Sequence, residues 1–158
     1  GDLELSKENI DIHKLIKESA SSFELSIKEK KGSILYKLNA QDPIIFSDKV
    51  HITNIIYNLL DNANKYSLSA PKITIKTINK HNGIEVTISD MGKGLSKEQS
   101  KLVFDQFYRV PTGSIHDVKG FGLGLYYVKV ILIKLKGMIK VISKLNEGSD
   151  FIFWIPKK

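Results

Sequence analysis

Two neighbouring segments that alternate apolar and polar residues constrain the fold of this chain more than any other feature. The segments are "KITIKTIN" at 72–79 and "GIEVTISD" at 83–90, and the bridge "KHNG" at 80–83 joins them. Strict alternation places apolar side chains on one face of a β-strand, and a short polar bridge with glycine favours a hairpin. The pattern therefore predicts an antiparallel pair of strands with one face buried beneath other elements.

Amphipathic helices are predicted to cover that face. Residues 13–31 and 49–65 carry apolar side chains at three- and four-residue spacing, and Asp48 is a suitable N-cap for the second helix. A helical fragment is predicted over 97–103 and a third long helix over 123–135. Further strands are expected at 8–12, 33–39, 138–143 and 150–155.

These elements predict one α+β domain over residues 1–158, a two-layer α/β sandwich. Its mixed, mostly antiparallel sheet is expected to be covered on one face by about three helices. Residues 105–120 lack periodicity and are predicted to be a loop. Apolar runs are shorter than the roughly 20 residues of a membrane-spanning helix. Cysteine is absent, which excludes disulfides and thiol nucleophiles and suits a reducing, cytoplasmic compartment.

The positive charge of the chain comes almost entirely from lysine. The formal net charge is +7, and of the 24 basic residues all but Arg109 are lysines spread along the whole sequence. Nucleic-acid surfaces depend on arginine for bidentate contacts, so we expect no nucleic-acid partner. The single arginine indicates a position that requires a planar guanidinium group rather than charge alone.

A polar stripe on the predicted helix 49–65 is the first candidate site. Asn58, Asn62 and Lys65 stand at i, i+4 and i+7 and share one helix face. Amide oxygens can ligate a hard cation, and an ammonium group can bind phosphate. A solvated helix face is the alternative, but asparagine is a poor helix former, which favours a functional reason for its presence.

Two glycine-rich segments are further candidates. In "DMGKGL", Asp90 ends a predicted strand and can accept a hydrogen bond from a ligand amino group, although alone the motif is better explained as an ordinary turn. In "GFGLGL", Gly120, Gly122 and Gly124 lead into a predicted helix. Exposed N–H groups at a helix start form an anion site. Close helix packing is the alternative and explains one or two of these glycines.

The segment "FDQFYRV" places aromatic residues beside the single arginine. Phe104 and Phe107 are predicted to be hydrophobic anchors for the loop that follows. Arg109 is harder to explain as a structural residue.

The four segments, in this order and spacing, resemble the ATP-binding catalytic domain of bacterial sensor histidine kinases, a group related to DNA gyrase, the Hsp90 chaperones and MutL. "NIIYNLLDNANKYS" resembles the N box, "DMGKGL" the first glycine box, "FDQFYRV" the F box and "GFGLGL" the second glycine box. The resemblance covers about residues 8–156 and implies a Bergerat-type ATP-binding fold, with 1–7 as the end of a preceding linker.

The resemblance implies a site for ATP and Mg²⁺. Asn62 would ligate the ion with Asn58 assisting, and Lys65 would contact phosphate. Tyr66 would pack on the adenine or ribose side, and Asp90 would accept from the adenine amino group.

The two glycine boxes would complete this site. Gly92 and Gly94 would let the backbone approach the base, and the second box would cradle the phosphates and hinge a lid of about residues 105–121. Arg109, the one candidate catalytic residue, would help to place the lid or the γ-phosphate. The box residues implied to bind nucleotide are Gly92, Gly94, Leu95, Gly120, Phe121, Gly122, Leu123, Gly124 and Leu125.

Asn58 separates transfer from hydrolysis within this group. ATP-hydrolysing relatives carry glutamate there as a general base, and an amide has no basic site near neutral pH. The resemblance therefore implies transfer of the γ-phosphoryl group to a histidine on a separate dimerisation domain, followed by a response regulator receiver domain as partner. No matching histidine motif occurs here, so we expect a monomeric fragment of a homodimeric kinase, whose parent is either soluble or membrane-bound.

Three alternatives remain open. A non-catalytic nucleotide-binding module on the same fold would bind ATP without transferring phosphate. An ATPase-driven machine such as a chaperone is disfavoured by Asn58. A nucleic-acid binder is disfavoured by the shortage of arginine.

Overall fold

The computed structural model describes residues 4–67, 69–109 and 124–158. Within these residues the elements, in chain order, are β1 (Lys7–Asp11), α1 (Ile12–Glu29), β2 (Ser33–Leu38), β3 (Ile44–Asp48), α2 (Lys49–Lys65), β4 (Lys72–Lys80), β5 (Gly83–Asp90), α3 (Lys97–Leu102), α4 (Gly124–Lys134), β6 (Met138–Lys144) and β7 (Gly148–Pro156).

The described strands form two sheets. The larger has the order β2-β4-β5-β7-β6 and is antiparallel except for the parallel pair β2–β4. The smaller consists of β1 and β3 in antiparallel pairing. Helices α1, α2 and α4 contribute buried side chains to the same apolar cluster as the large sheet. The predicted two-layer α+β sandwich is therefore confirmed.

The predicted hairpin is confirmed as β4–β5. Lys80 pairs with Gly83, and the two residues between them, His81 and Asn82, both adopt positive φ, at 49° and 55°. Two consecutive left-handed residues are the mark of a type I′ turn, whose twist matches that of the strands it joins. The turn aligns the alternating apolar residues on one buried face: Ile73, Ile75, Ile84, Val86 and Ile88.

Helix α2 contacts α1, α4 and β5, and it begins at the N-cap residue Asp48. Asp48 accepts hydrogen bonds from the backbone N–H groups of His51, at 3.0 Å, and of Ser6, at 2.8 Å. These N–H bonds hold the pKa of Asp48 below its usual value although burial opposes them. The cap fixes where α2 starts, and the apolar stripe of the helix is the face that is buried.

Strand β3 was not predicted from the sequence. Ile44, Ile45 and Phe46 are all apolar, so the segment shows no alternation, although only Ile45 of the three is buried. The strand is five residues long and ends directly at the cap of α2, so its pairing with β1 is the evidence that defines it. None of the helices in the described residues is long and apolar enough to span a bilayer.

The expectation for Phe107 was wrong. Phe104 anchors the segment after α3, since its ring meets Phe151 of β7 edge to face at 6.1 Å between centroids. Phe107 adopts a left-handed φ of 66° and leaves 64% of its surface exposed. The predicted loop at 105–120 falls mostly outside the described residues.

Candidate functional site

Asn58 faces the first residue of α4. The Asn58 amide nitrogen donates to the backbone carbonyl of Asn54 at 2.8 Å, which leaves the amide oxygen, Oδ1, as an acceptor. This oxygen lies 3.1 Å from the position that a Cβ on Gly124 would occupy. Glycine at the start of α4 therefore lets this helix begin close to the polar stripe of α2.

The rest of the polar stripe lies along the second half of α2. Lys65 forms an ion pair of 2.9 Å with Asp61, one turn earlier, and both side chains are about one-third exposed. Asn62 is partly buried, and its carbonyl accepts from the Tyr66 N–H at 3.2 Å where the helix ends. An anion that binds Lys65 would therefore compete with the Asp61 carboxylate for the ammonium group. Both side chains are partly exposed to solvent.

The loop after β5 is held against the C-terminal end of α2. The N–H of Gly92 donates to the Asp90 carboxylate at 2.9 Å, and the N–H of Lys93 donates to the Tyr66 carbonyl at 3.3 Å. A Cβ on Gly92 would stand 2.3 Å from the Tyr66 carbonyl oxygen. The missing side chain thus lets the loop and the helix end meet.

The other side of the same loop is held by the turn between β6 and β7. Gly94 has a φ of 68°, and a Cβ there would lie 1.9 Å from the Lys144 carbonyl oxygen. Asn146 donates to the Lys93 carbonyl at 2.6 Å, and the Leu95 N–H donates to the Ser143 hydroxyl at 2.8 Å. Leu95 itself is buried in the core. The protein's own backbone therefore accounts for both glycines, and their approach to a base stays a prediction.

Asp90 is the buried acid of this loop, with 7% of its surface exposed. Burial raises the pKa of its carboxyl group above the usual value, while N–H bonds from Gly92 and Ser149 oppose that rise. A carboxylate with a desolvated environment and a fixed orientation is suited to accept a hydrogen bond from a ligand.

Charged side chains surround Tyr66 at the end of α2. Burial raises the pKa of its hydroxyl group, the charges of Lys65 and Arg109 act against that rise, and the charge of Asp61 adds to it. The ammonium of Lys93 lies 5.2 Å from the ring centroid, within the range of a cation–π contact. Lys93 was not predicted as a site residue, and its position between two glycines is the sequence signal that could have indicated it.

Part of the predicted site lies outside the described residues. These residues are Gly120, Phe121, Gly122 and Leu123. Among the described ones, Leu125 packs against the core and Arg109 is exposed. The structure therefore brings together Asn58 with Gly124, and Asp90 and Gly92 with Tyr66, along the length of α2.

The residues present fit Mg²⁺ only in company with a phosphate. The described residues contain no group of three or more His, Cys, Asp or Glu side chains that would hold a metal ion. The amide oxygens of Asn58 and Asn62 are neutral, hard ligands. Mg²⁺ is commonly held by few protein groups together with substrate phosphates, which matches this donor set.

The fold is that of an ATP-binding catalytic domain of the histidine kinase type. The nucleotide-free catalytic domain of histidine kinase ThkA aligns with a TM-score of 0.82 and 26% identity, over 98% of this chain and 97% of its own. Full-length ShkA in complex with AMPPNP aligns with a TM-score of 0.87 and 24% identity, over 99% of this chain and 32% of ShkA; this second likeness concerns the fold alone.

Residues 47–158 match the family described as histidine kinase-, DNA gyrase B-, and HSP90-like ATPase, and the chain belongs to this family. Sensor protein RprX of Bacteroides fragilis (strain YCH46) is 44% identical over 154 residues, which cover 96% of this chain and 30% of RprX. The chain thus spans less than a third of the length of this relative. The family identified from the four motifs is confirmed.

Proposed function

We propose that this chain binds Mg²⁺ and ATP along α2 and, as part of a longer kinase, donates the γ-phosphoryl group to a histidine. The observation that carries the proposal is the position of α2. Its middle, at Asn58, meets the start of α4, and its end, at Tyr66, meets the Asp90 loop. Eight residues of helix separate these contacts, about 12 Å, a span suited to an extended nucleoside triphosphate.

The base would be bound at the Asp90 loop. The carboxylate of Asp90 accepts from the Gly92 N–H and keeps further acceptor capacity on its two oxygens. An adenine amino group would donate to this carboxylate, whereas guanine presents a carbonyl at the same ring position and would be repelled. Tyr66 would pack on the adenine or ribose side, and Lys93 on its ring would limit which part of the ring is accessible.

The phosphates would be bound between α2 and the start of α4. Lys65 would exchange part of its contact with Asp61 for a phosphate oxygen. The chain at Gly120 to Gly124 would supply backbone N–H donors, in keeping with anion binding at helix starts. When bound, Mg²⁺ would neutralise phosphate charge, with Asn62 as a ligand and Asn58 beside it.

The nature of residue 58 supports transfer rather than hydrolysis. The Asn58 amide has no basic site for a water proton near neutral pH. In the transfer, a bond forms between an imidazole nitrogen and the γ-phosphorus while the bond to the bridging oxygen breaks, and ADP leaves with that electron pair. The chain would contribute positioning and charge neutralisation, and Arg109 would help to place the lid or the γ-phosphate.

The acceptor and the next partner would lie on other domains. We expect the histidine on the dimerisation domain of the same homodimeric kinase, and a response regulator receiver domain after it, in the cytoplasm where ATP is available. Histidine kinase ThkA has been solved in complex with response regulator protein TrrA, and its chain shares this fold at a TM-score of 0.80.

Calorimetry and a transfer assay test the proposal together. Titration with AMPPNP should give magnesium-dependent binding, and adding ATP and the dimerisation domain should label a histidine in an acid-labile, base-stable form. Absence of binding at millimolar AMPPNP would refute the proposal. Binding without transfer would instead support a non-catalytic nucleotide-binding module, and steady phosphate release would support an ATPase.

A further inference from the structure

A polar cluster joins α2 to α4 beyond Asn58. The hydroxyl oxygen of Tyr127 on α4 lies 3.2 Å from Nδ1 of His51, and the amide nitrogen of Asn54 donates to the same hydroxyl at 3.4 Å. On the same helix, Val128 and Ile131 are fully buried apolar residues. The Tyr127 hydroxyl therefore makes polar, partly exposed contacts beside the apolar part of the helix pair.

The cluster is connected to the proposed phosphate end through Asn54. The backbone carbonyl of Asn54 accepts from the Asn58 amide at 2.8 Å, and Asn58 faces Gly124, three residues before Tyr127. As α4 advances from Gly124 to Tyr127, its partners on α2 move back from residue 58 to residues 54 and 51. The two helices are therefore antiparallel here. The contacts of the Tyr127 hydroxyl lie about one helical turn from the contact of Gly124 with Asn58.

Apolar packing resists a shift of one helix along another through the fit of side chains, but it supplies no directional bond, because the hydrophobic effect is non-directional. Hydrogen bonds require specific distances and angles. A shift of α4 by a single residue rise, about 1.5 Å, would break both contacts of the Tyr127 hydroxyl. The cluster therefore adds a directional restraint on the axial position of α4 along α2.

We propose that Tyr127 is a positioning residue for the phosphate end of the nucleotide site, acting through His51 and Asn54 to hold the start of α4 opposite Asn58. The inference rests on the proposed function and extends it. The Asp90 loop is held by Tyr66 and the β6–β7 turn, which do not involve Tyr127. Loss of the hydroxyl should therefore weaken recognition of the phosphates and leave recognition of adenosine unchanged.

The test compares the Tyr127→Phe variant with wild-type protein in titrations with AMPPNP plus Mg²⁺ and with adenosine. We expect the dissociation constant for AMPPNP to rise roughly threefold to tenfold, the effect of one or two neutral hydrogen bonds, while that for adenosine is unchanged. Tyr126→Phe is the matched control, because the neighbouring Tyr126 hydroxyl is not part of the cluster, and it should bind both ligands as wild type does.

The Asn54→Ala variant provides a second, independent measurement. It should weaken AMPPNP in the same direction, and the double variant with Tyr127→Phe should lose less than the sum of the two effects. Equal weakening of adenosine and AMPPNP, or no effect of either substitution on AMPPNP, would overturn the inference. Wild-type protein that binds neither ligand would instead refute the proposed function itself.

Discussion

The substitution Gly92→Ala tests whether the Asp90 loop depends on direct contact with the end of α2. A Cβ at residue 92 would lie 2.3 Å from the Tyr66 carbonyl oxygen and 3.0 Å from an oxygen of the Asp90 carboxylate. Both neighbours are constrained, since one is backbone at a helix end and the other is a buried acid. The loop must therefore move away from α2 by a substantial fraction of an ångström.

The displacement would weaken two hydrogen bonds. The bond from the Gly92 N–H to the Asp90 carboxylate involves a charged acceptor, for which about 1.5–3 kcal/mol is typical, and the Lys93 bond to the Tyr66 carbonyl is neutral, for which about 0.5–1.5 kcal/mol is typical. If both bonds are lost, we expect Gly92→Ala to lower the free energy of unfolding by about 2–4.5 kcal/mol. Nucleotide binding should fall as well, because Asp90 loses its orientation.

Urea unfolding of the chain measures the change in the free energy of unfolding. Titration of the folded protein with AMPPNP measures the change in nucleotide affinity. Gly124→Ala is the informative comparison. Its added methyl group meets the end of a side chain, Asn58 Oδ1 at 3.1 Å, which can move, and alanine favours the helix. It should keep its stability and lose affinity for the phosphates. A Gly92→Ala variant within about 0.5 kcal/mol of wild type would refute the reasoning.

Two further substitutions separate the base end from the phosphate end. Burial raises the pKa of Asp90 above its ordinary value of 3.8, so the folded state binds this proton more tightly, and stability falls as pH rises from 3.8 towards the raised pKa. Asp90→Asn should remove this loss of stability with rising pH, which unfolding curves measured across pH would show. The same variant should lower the preference for ATP over GTP by about tenfold or more in competition titrations. An unchanged preference would exclude Asp90 from base recognition. Asn62→Ala should stay within about 1 kcal/mol of wild-type stability. It should lose the enhancement of AMPPNP binding by Mg²⁺, measured by calorimetry with and without EDTA. Enhancement equal to that of the wild-type protein would exclude Asn62 as a ligand of the ion.

The elements with strong periodicity were predictable from sequence because local pattern and final packing agree. The β4–β5 hairpin and α2 each bury the face that the apolar spacing indicates. Strand β3 was not predictable in this way. Its exposed residues Ile44 and Phe46 are as apolar as the buried Ile45. The hydrophobic pattern therefore does not indicate a strand, and its pairing with the distant β1 identifies it.

The sequence yields a list of candidate site residues, which stays a prediction, but it does not yield the contacts among them. The motif order identified Asp90 and Gly92, yet the contact of Gly92 with the Tyr66 carbonyl joins residues far apart in the chain. The hydrophobic role assigned to Phe107 failed because a left-handed backbone conformation, with φ of 66°, is not encoded in side-chain hydrophobicity. Lys93 was overlooked since its contact with the Tyr66 ring depends on the same long-range meeting of loop and helix.

The loop from Asp90 to Leu95 is anchored on both flanks before any ligand arrives, by Tyr66 on one side and by Ser143 and Asn146 on the other. Because the loop is already held in place, little conformational entropy is lost when a small molecule binds to it. Such preorganisation favours a high affinity for small ligands. Under the proposed function, planar amino-heterocycles without phosphate groups would be suitable first compounds in a fragment screen for inhibitors, with the carboxylate of Asp90 as their proposed hydrogen-bond acceptor.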